Sequence, residues 1–233
     1  MLTLYVFAPA LGTISPSPFS VKSLLLLQMS GLPFTRAAGD PRKAPKGKLP
    51  VLEDGGRRVP DSQAIQRHLA KAHGYDPDAH LTARQRAEAA AIRHLIEDHL
   101  YWVLVFARWI DHPEATRRAF FGTLPAPLRR PVFALVRRQV ARALHGQGMG
   151  RHTAAEIYAM GIEGLEALSL LLGDGPYLFG EAPSGIDTSL FGFLENVLAA
   201  ELDTPLRQAA SRCPGLVAFH RHIREGIAAP LCR

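Results

Sequence analysis

The stretch KGKLPVLEDGGRRVPDSQAI, residues 46–65, restricts the fold more than any other part of the chain. Pro50 stands directly in front of a strand-forming run, a place where a cis peptide is seldom kept without reason. Gly55 and Gly56 are turn residues that let LPVLED (49–54) pair back with RRVP (57–60) as a hairpin. Helical spacing then takes over. In DSQAIQRHLAKAHG (61–74), Asp61 or Ser62 caps the start, Ala64, Ile65, Leu69 and Ala72 line one side, and Gly74 stops the run. Upstream, LTLYVF (2–7) is rich in strand formers, and PFSVKSLLLLQMSG (18–31) reads as a helix opened by proline and closed by Gly31. PFTRAA (33–38) is a second, weaker strand. A β-α-β unit followed by β-β-α predicts a four-stranded mixed sheet with helices against it.

Everything later reads as helix. GYDPDAHLT (74–82) is a joint, so residues 1–75 form one domain, 76–82 a linker and 83–233 an all-helical domain. Residues 83–111 carry one long helical pattern, which 112–131 is expected to break. In 132–145, Val132, Phe133, Val136, Val140 and Leu144 share a side, with Arg137, Arg138 and Arg142 largely opposite. A helix is expected over 153–173, another from the Ser184–Asp187 capping box to about Leu202, and a last one after Pro214.

Composition removes several function classes. The longest strongly apolar run, LYWVLVFA at 100–107, is too short to span a bilayer. The apolar start MLTLYVFAPALG lacks a basic leader and alternates like a strand, so it is not read as a signal peptide. Cys213 and Cys232 make neither a disulfide framework nor a metal motif, and the expected location is the reduced cytoplasm. The net charge is +6, and residues 113–151 hold eight arginines against one acid, Glu114. No aromatic residues alternate with these arginines as a stacking platform needs. A solvated helix face is the expected reading; nucleic acid is not an expected partner, and a membrane surface is not the favoured one.

The chemistry gathers in the first domain. In a thioredoxin-like sheet, a proline placed as Pro50 lies beside the start of the first helix. There the backbone of Leu49 can pair with an extended, peptide-like ligand. The helix opening at Asp61-Ser62 offers free N–H groups and a dipole that favour a carboxylate, and Lys48 adds a cation to the same groove. A ligand with two carboxylates and a peptide backbone matches this pattern. The other notable stretch is TISPSPFSVKSLLLLQM (13–29), which sets Ser15, Ser17 and Ser20 around Pro16 and Pro18 at the mouth of a helix.

KLPVLED followed by VPDSQAI resembles the glutathione-site signature of glutathione transferases, and the resemblance extends over both domains. HGQGMGRHTAAEI, LLGDGPYLFGEAPSGIDTSLFGFL and CPGLVAFHRHI are similar to the branch of failed axon connections and metaxin-related proteins. The resemblance implies a thioredoxin-like α/β domain followed by an all-helical one, a homodimer, glutathione as co-substrate without a metal, and a small electrophile as second substrate. Ser17-Pro18-Phe19 looks like the activating motif that precedes the first helix in tau-class enzymes, and resembles the Cys-Pro-Phe of omega-class ones. By that match Ser17 activates the thiol, with Ser15 and Ser20 as alternatives and Phe19 beside the ligand. Serines at both 17 and 20 leave no dithiol pair. Lys48 would meet the glycyl carboxylate and Leu49, before Pro50, the cysteinyl backbone. Asp61 and Ser62 would hold the γ-glutamyl end.

The physics agrees. A thiol near pKa 8.5 is a few per cent thiolate at neutral pH, and lowering it by about two units takes roughly 2.7 kcal/mol. One hydroxyl donor and a helix N-terminus supply that amount.

Each residue also has a plainer role: Ser17, Asp61 and Ser62 as helix caps, Pro50 as architecture, Lys48 as a surface cation. The alternative for the whole chain is a non-catalytic binding or membrane-associated module that uses the arginine-rich helix. Tyr101, Trp102, Phe106 and Trp109 are expected to pack in the core or between domains, and His220 and His222 to point apart. Arg93–Glu97 and His94–Asp98 are expected as exposed pairs one turn apart. Compared with the family, the loop 36–46 leaves little room for a helix, and residues 112–151 lengthen the second domain.

Overall fold

A computed structural model of the chain describes residues 1–122 and 124–232. Strands β1 (Leu2–Val6), β2 (Phe34–Ala38), β3 (Val51–Asp54) and β4 (Arg57–Pro60) form one mixed sheet in the order β2-β1-β3-β4. β1 runs parallel to β2 and antiparallel to β3, and β3 turns directly into β4. Leu2, Leu4 and Val6 alternate inward, and Leu4 lies opposite Leu52 with both side chains fully buried.

Helix α1 (Pro18–Ser30) connects β1 to β2, and α2 (Ser62–His73) follows β4. The α1 leucines 24–27 are all buried, because the helix is covered by the sheet on one side and by a helix of the second domain on the other. Such a helix shows no amphipathic stripe. Each leucine contributes on the order of 1.5–3 kcal/mol of apolar burial. In the short loop, Pro41–Lys43 forms a single 3₁₀ turn.

The rest of the chain is helical: α3 (Ala83–His94), α4 (Tyr101–Phe106), α5 (Pro113–Phe121), α6 (Ala126–Gln147), α7 (Ala154–Leu172), α8 (Gly185–Leu198), α9 (Pro205–Ser211) and α10 (Pro214–Glu225). Residues 83–111 run as one rod, but wide π turns at Leu95–Leu100 and Ala107–Asp111 interrupt the α geometry. The segment 112–131, expected as a break, instead carries α5 and the opening of α6. Pro113 and Pro127 sit in first helical turns, where no N–H is needed, and only Pro131 falls inside a helix. The helix after Ser184 ends at Leu198, short of Leu202, because Glu201 N–H turns away to the Leu11 carbonyl. α9 was not expected; Thr204 caps it and Pro205 opens it. Among the described residues no helix is long and apolar enough to cross a membrane.

Phe106 and Trp109 pack in the core as expected: Phe106 sits edge-on to Tyr158, and Trp109 stacks on Phe133 at 5.9 Å. His220 and His222 do point apart, to Glu195 and to the Tyr177 hydroxyl.

A buried carboxylate ties the loop before α1 to the helical domain. Glu195 is fully buried and accepts from Ile14 N–H at 3.0 Å, His220 Nε2 at 2.8 Å and Arg224 Nη1 at 2.5 Å. Burial alone would raise its pKa, but the His220 and Ile14 hydrogen bonds and the Arg224 charge hold it below the ordinary carboxylate value. The stability it adds is therefore present above the unfolded pKa near 4.3 and is lost as pH falls through the lower folded value. Urea unfolding should show the wild type losing stability as the solution is acidified below about pH 4. Glu195→Gln should start about 3 kcal/mol lower at neutral pH and change less across that range. Parallel profiles for the two proteins would exclude this role.

Candidate active site

Three turns of chain converge where the domains meet. The first is the entry to α1. Ser17 has extended backbone angles (φ −115°, ψ 117°) and caps the helix, its Oγ accepting from Ser20 N–H at 3.4 Å. Pro18 has no N–H, and Phe19 N–H has no acceptor among the described residues. The capped helix thus keeps one backbone donor free, and Ser17 Oγ donates to no described residue. The other two serines are closed off. Ser15 is fully buried and donates to the Phe7 carbonyl at 3.0 Å, and Ser20 is fully buried with its hydroxyl unpartnered.

The Ser-Pro steps now have a structural reason. Asn196 Nδ2 donates to the Ser15 carbonyl at 3.2 Å, and Arg108 Nη1 to the Pro16 carbonyl at 2.6 Å. Pro16 and Pro18 have no N–H to donate, the loop is pinned by the Ser15 and Pro16 carbonyls, and Ser17 follows at once. Arg108 also donates to the Asn196 carbonyl at 2.9 Å and to its Oδ1 at 2.8 Å. It is a buried guanidinium held by neutral oxygens, and burial brings its pKa down to about 10, so it stays charged at neutral pH.

The second turn is Leu49–Pro50, a cis peptide. Leu49 is buried with Ala44 and Val51, and Lys48 is exposed just before it. The third turn is the start of α2. Asp61 N–H donates to the Pro50 carbonyl at 3.3 Å, which fixes the second turn to the third. Asp61 is exposed and has φ 85°, a region that a residue with a side chain rarely occupies. Such geometry concentrates where surrounding structure holds a site in place. Its Oδ1 accepts from Gln63 N–H at 3.0 Å and Ala64 N–H at 3.1 Å, so Asp61 is the cap. Ser62 is largely buried, and no described residue pairs with its N–H or its hydroxyl. Those two donors, beside the Asp61 carboxylate, suit a group carrying both an anion and an amine.

Lys22 links the first turn to the third. It is 1% exposed, and Nζ donates to Gln63 Oε1 at 3.0 Å and Glu97 Oε1 at 2.7 Å. Burial pushes its pKa down, and Glu97 opposes that. Glu97 also accepts from Ser189 Oγ at 2.8 Å. The expected surface pair of Arg93 with Glu97 is therefore corrected: the π turn rotates Glu97 inward to Lys22. His94 and Asp98 do pair at the surface. A small cleft opens here between Pro18, Phe19, Lys22, Glu97, Tyr101 and Phe193. Tyr101, expected in the packing, sits edge-on to Phe19 at 4.9 Å on the cleft wall.

Sequence reading missed Lys22, Glu97, Arg108 and Asn196 as parts of this arrangement. No motif marks them; their neighbours in space lie 41 to 92 residues away. One further polar group lies elsewhere: Asp54, His68 and His73 bring one ligand atom each within 4.8 Å of one another, a set able to hold a metal ion.

The mixed sheet of order β2-β1-β3-β4, its cis-proline turn and the helices that follow define a thioredoxin-like domain joined to an all-helical one. Residues 18–114 match the glutathione S-transferase N-terminal domain, and 161–223 the glutathione S-transferase C-terminal domain. The isoprene-epoxide–glutathione S-transferase of Rhodococcus sp. (strain AD45) is 32% identical over 97% of this chain and 98% of its own length. Metaxin-1 of Mus musculus is 30% identical, covering 100% of this chain and 78% of its own. Failed axon connections of Drosophila melanogaster is 28% identical over 97% of this chain, which spans 57% of that protein. Among solved structures, the beta-etherase LigF of Sphingobium sp. strain SYK-6 superposes with a TM-score of 0.71 at 19% identity over 99% of this chain and 98% of its own. A glutathione S-transferase of Ceriporiopsis subvermispora in complex with glutathione gives 0.66 at 18% identity over 97% of each chain. The chain belongs to the glutathione S-transferase superfamily, in its failed axon connections and metaxin-like branch.

Proposed function

We propose that the chain binds glutathione across the three turns and catalyses attack of its thiolate on a small electrophile. The observation that carries this is the set of unpaired donors at two helix N-termini: Phe19 N–H and the Ser17 hydroxyl at one, Ser62 N–H and hydroxyl at the other. Asp61 and Ser62 take the γ-glutamyl amine and carboxylate, the Leu49 backbone pairs with the cysteinyl unit, and Lys48 meets the glycyl carboxylate. The sulfur then lies at the mouth of α1. The Ser17 hydroxyl and the helix dipole stabilise its anion, with the buried Arg108 cation one carbonyl away.

An epoxide is the first electrophile to test, on the strength of the Rhodococcus relative. The sulfur forms a bond to a ring carbon, the C–O bond breaks toward oxygen, and that oxygen takes a proton from water. The active form is a homodimer in the cytoplasm.

Calorimetric titration with reduced glutathione tests the reading. Wild type should bind it, and Ser62→Ala should bind about tenfold more weakly, the worth of a hydrogen bond to a charged group. Ser17→Ala should bind nearly as well and lose on the order of a hundredfold in turnover with an epoxide. Absence of both heat and thermal stabilisation at millimolar glutathione would sink the proposal.

In that event α6 offers a second role, supported by its surface. Leu128 and Leu135 are 50% and 61% exposed, on the same side of the helix as the exposed Arg138 and Arg142. A leucine–arginine face of this kind would rest on an anionic membrane, and binding to acidic vesicles would then weaken steeply with salt.

A further inference from the structure

We propose that Asp54, His68 and His73 form a site for one divalent transition-metal ion of the zinc class, on the flank of the sheet domain away from the glutathione groove. Asp54 ends β3 at the hairpin turn, and the two histidines belong to the middle and last turn of α2. Nε2 of His68 and Nε2 of His73 each lie 2.8 Å from the same oxygen, Asp54 Oδ2. The two rings stand at 73° with centroids 5.8 Å apart, so both nitrogens face one point.

Hydrogen bonding alone has no need of that convergence, because a carboxylate has a second oxygen to offer the second ring. Two imidazoles and a carboxylate are the usual ligands of zinc and its neighbours. Zinc takes nitrogen at about 2.0–2.1 Å and carboxylate oxygen at about 2.0–2.2 Å, which puts tetrahedral ligand atoms roughly 3.3 Å apart. Each histidine nitrogen would move only about 0.5 Å from Asp54 Oδ2 to reach that spacing, and all three ligand atoms already lie within 4.8 Å of one another. All three side chains are partly open to solvent, at 9%, 23% and 24% for His68, Asp54 and His73, so water completes the shell. On loading, each Nε2 proton moves to Nδ1 of its own ring, and both rings bind as neutral imidazoles. The ion would clamp the β3–β4 turn to the far end of α2, the helix whose first residues are Asp61 and Ser62. Its role is structural and does not depend on the transferase reading.

The test uses untagged, chelator-stripped protein titrated calorimetrically with zinc chloride in a non-coordinating buffer near pH 7. Wild type should take up one ion per chain with micromolar affinity and unfold at a higher temperature when loaded. His68→Gln and His73→Gln keep an amide that can donate to Asp54 but lose the ligand. Each should bind more than tenfold more weakly, since even the hydrogen bonds that support an imidazole ligand carry about 10–100-fold. Both variants should keep the wild-type circular dichroism. No saturable binding to the wild type would overturn the proposal. So would undiminished binding in both variants, which would place the ion on other exposed histidines such as His94 or His152.

Discussion

Arg108→Ala should cost about 3 kcal/mol of stability in urea at neutral pH. Three carbonyl oxygens lose their donor at once: Pro16 O, Asn196 O and Asn196 Oδ1. Each buried acceptor left unpaired costs roughly 1–3 kcal/mol, and the vacated volume adds to that. Removing a buried cation returns part of the total, which is why the sum stays near 3 rather than 6. Arg108→Lys should rescue little, because an ammonium is a point charge and cannot reach the two separate acceptor groups as the planar fork does.

The same change should also reach the chemistry. Arg108 holds the carbonyl directly before Ser17, and its charge is buried with no carboxylate beside it among the described residues. Without it, the thiol of bound glutathione should titrate at higher pH, measured by the ultraviolet absorbance of the thiolate. A loss of stability below about 1 kcal/mol would show that the clamp is not what holds the Ser-Pro loop. An unshifted thiol in a folded Arg108→Ala protein would remove Arg108 from the account of activation and leave Ser17 and the helix dipole.

Much of the fold was legible because its boundaries are written in local chemistry. Gly31 and Gly74 stop α1 and α2 in left-handed conformations, as their positions predict. The Gly55-Gly56 turn sets the hairpin register, and Ser184 with Asp187 caps α8. The cis-proline turn and the cap of α2 were equally legible, since Pro50 and Asp61 sit in one short hairpin-to-helix stretch.

What stayed hidden depends on geometry that no local pattern encodes. Glu97 and Arg108 both lie in π turns, where an extra residue rotates the following side chains away from the face that regular helical spacing assigns. A regular helix would send Glu97 to Arg93; the real one sends it to Lys22. Proline misled in the opposite direction. In 112–131 it looked like a breaker, yet Pro113 and Pro127 are helix openers. His68 and His73, five apart on α2, are joined only because Asp54 arrives from β3.

Gly192→Ala should be as damaging as the loss of Arg108, although it adds a single methyl. Gly192 lies on the face of α8 against which α1 is packed. A Cβ built there would meet the Pro18 carbonyl oxygen at 2.5 Å and Lys22 N at 3.3 Å. Both are backbone atoms in the first turns of α1, so no side chain can swing aside. The helices must separate, and overpacking of this kind costs typically 1–3 kcal/mol, occasionally more. The upper end, about 3 kcal/mol, is expected here because α1 is buried on every side and has nowhere to retreat. The displaced residues are Pro18 and its neighbours Ser17 and Phe19, which carry the hydroxyl and the free N–H. On the proposed function, Gly192→Ala should therefore weaken catalysis more than it weakens glutathione binding, since the contacts proposed for the γ-glutamyl end at α2 lie outside the strained interface. Thermal unfolding and turnover of the same preparation decide the matter. A variant within about 0.5 kcal/mol of wild type and fully active would mean that α1 and α8 do not approach this closely, and that the seat of Ser17 is set by other contacts.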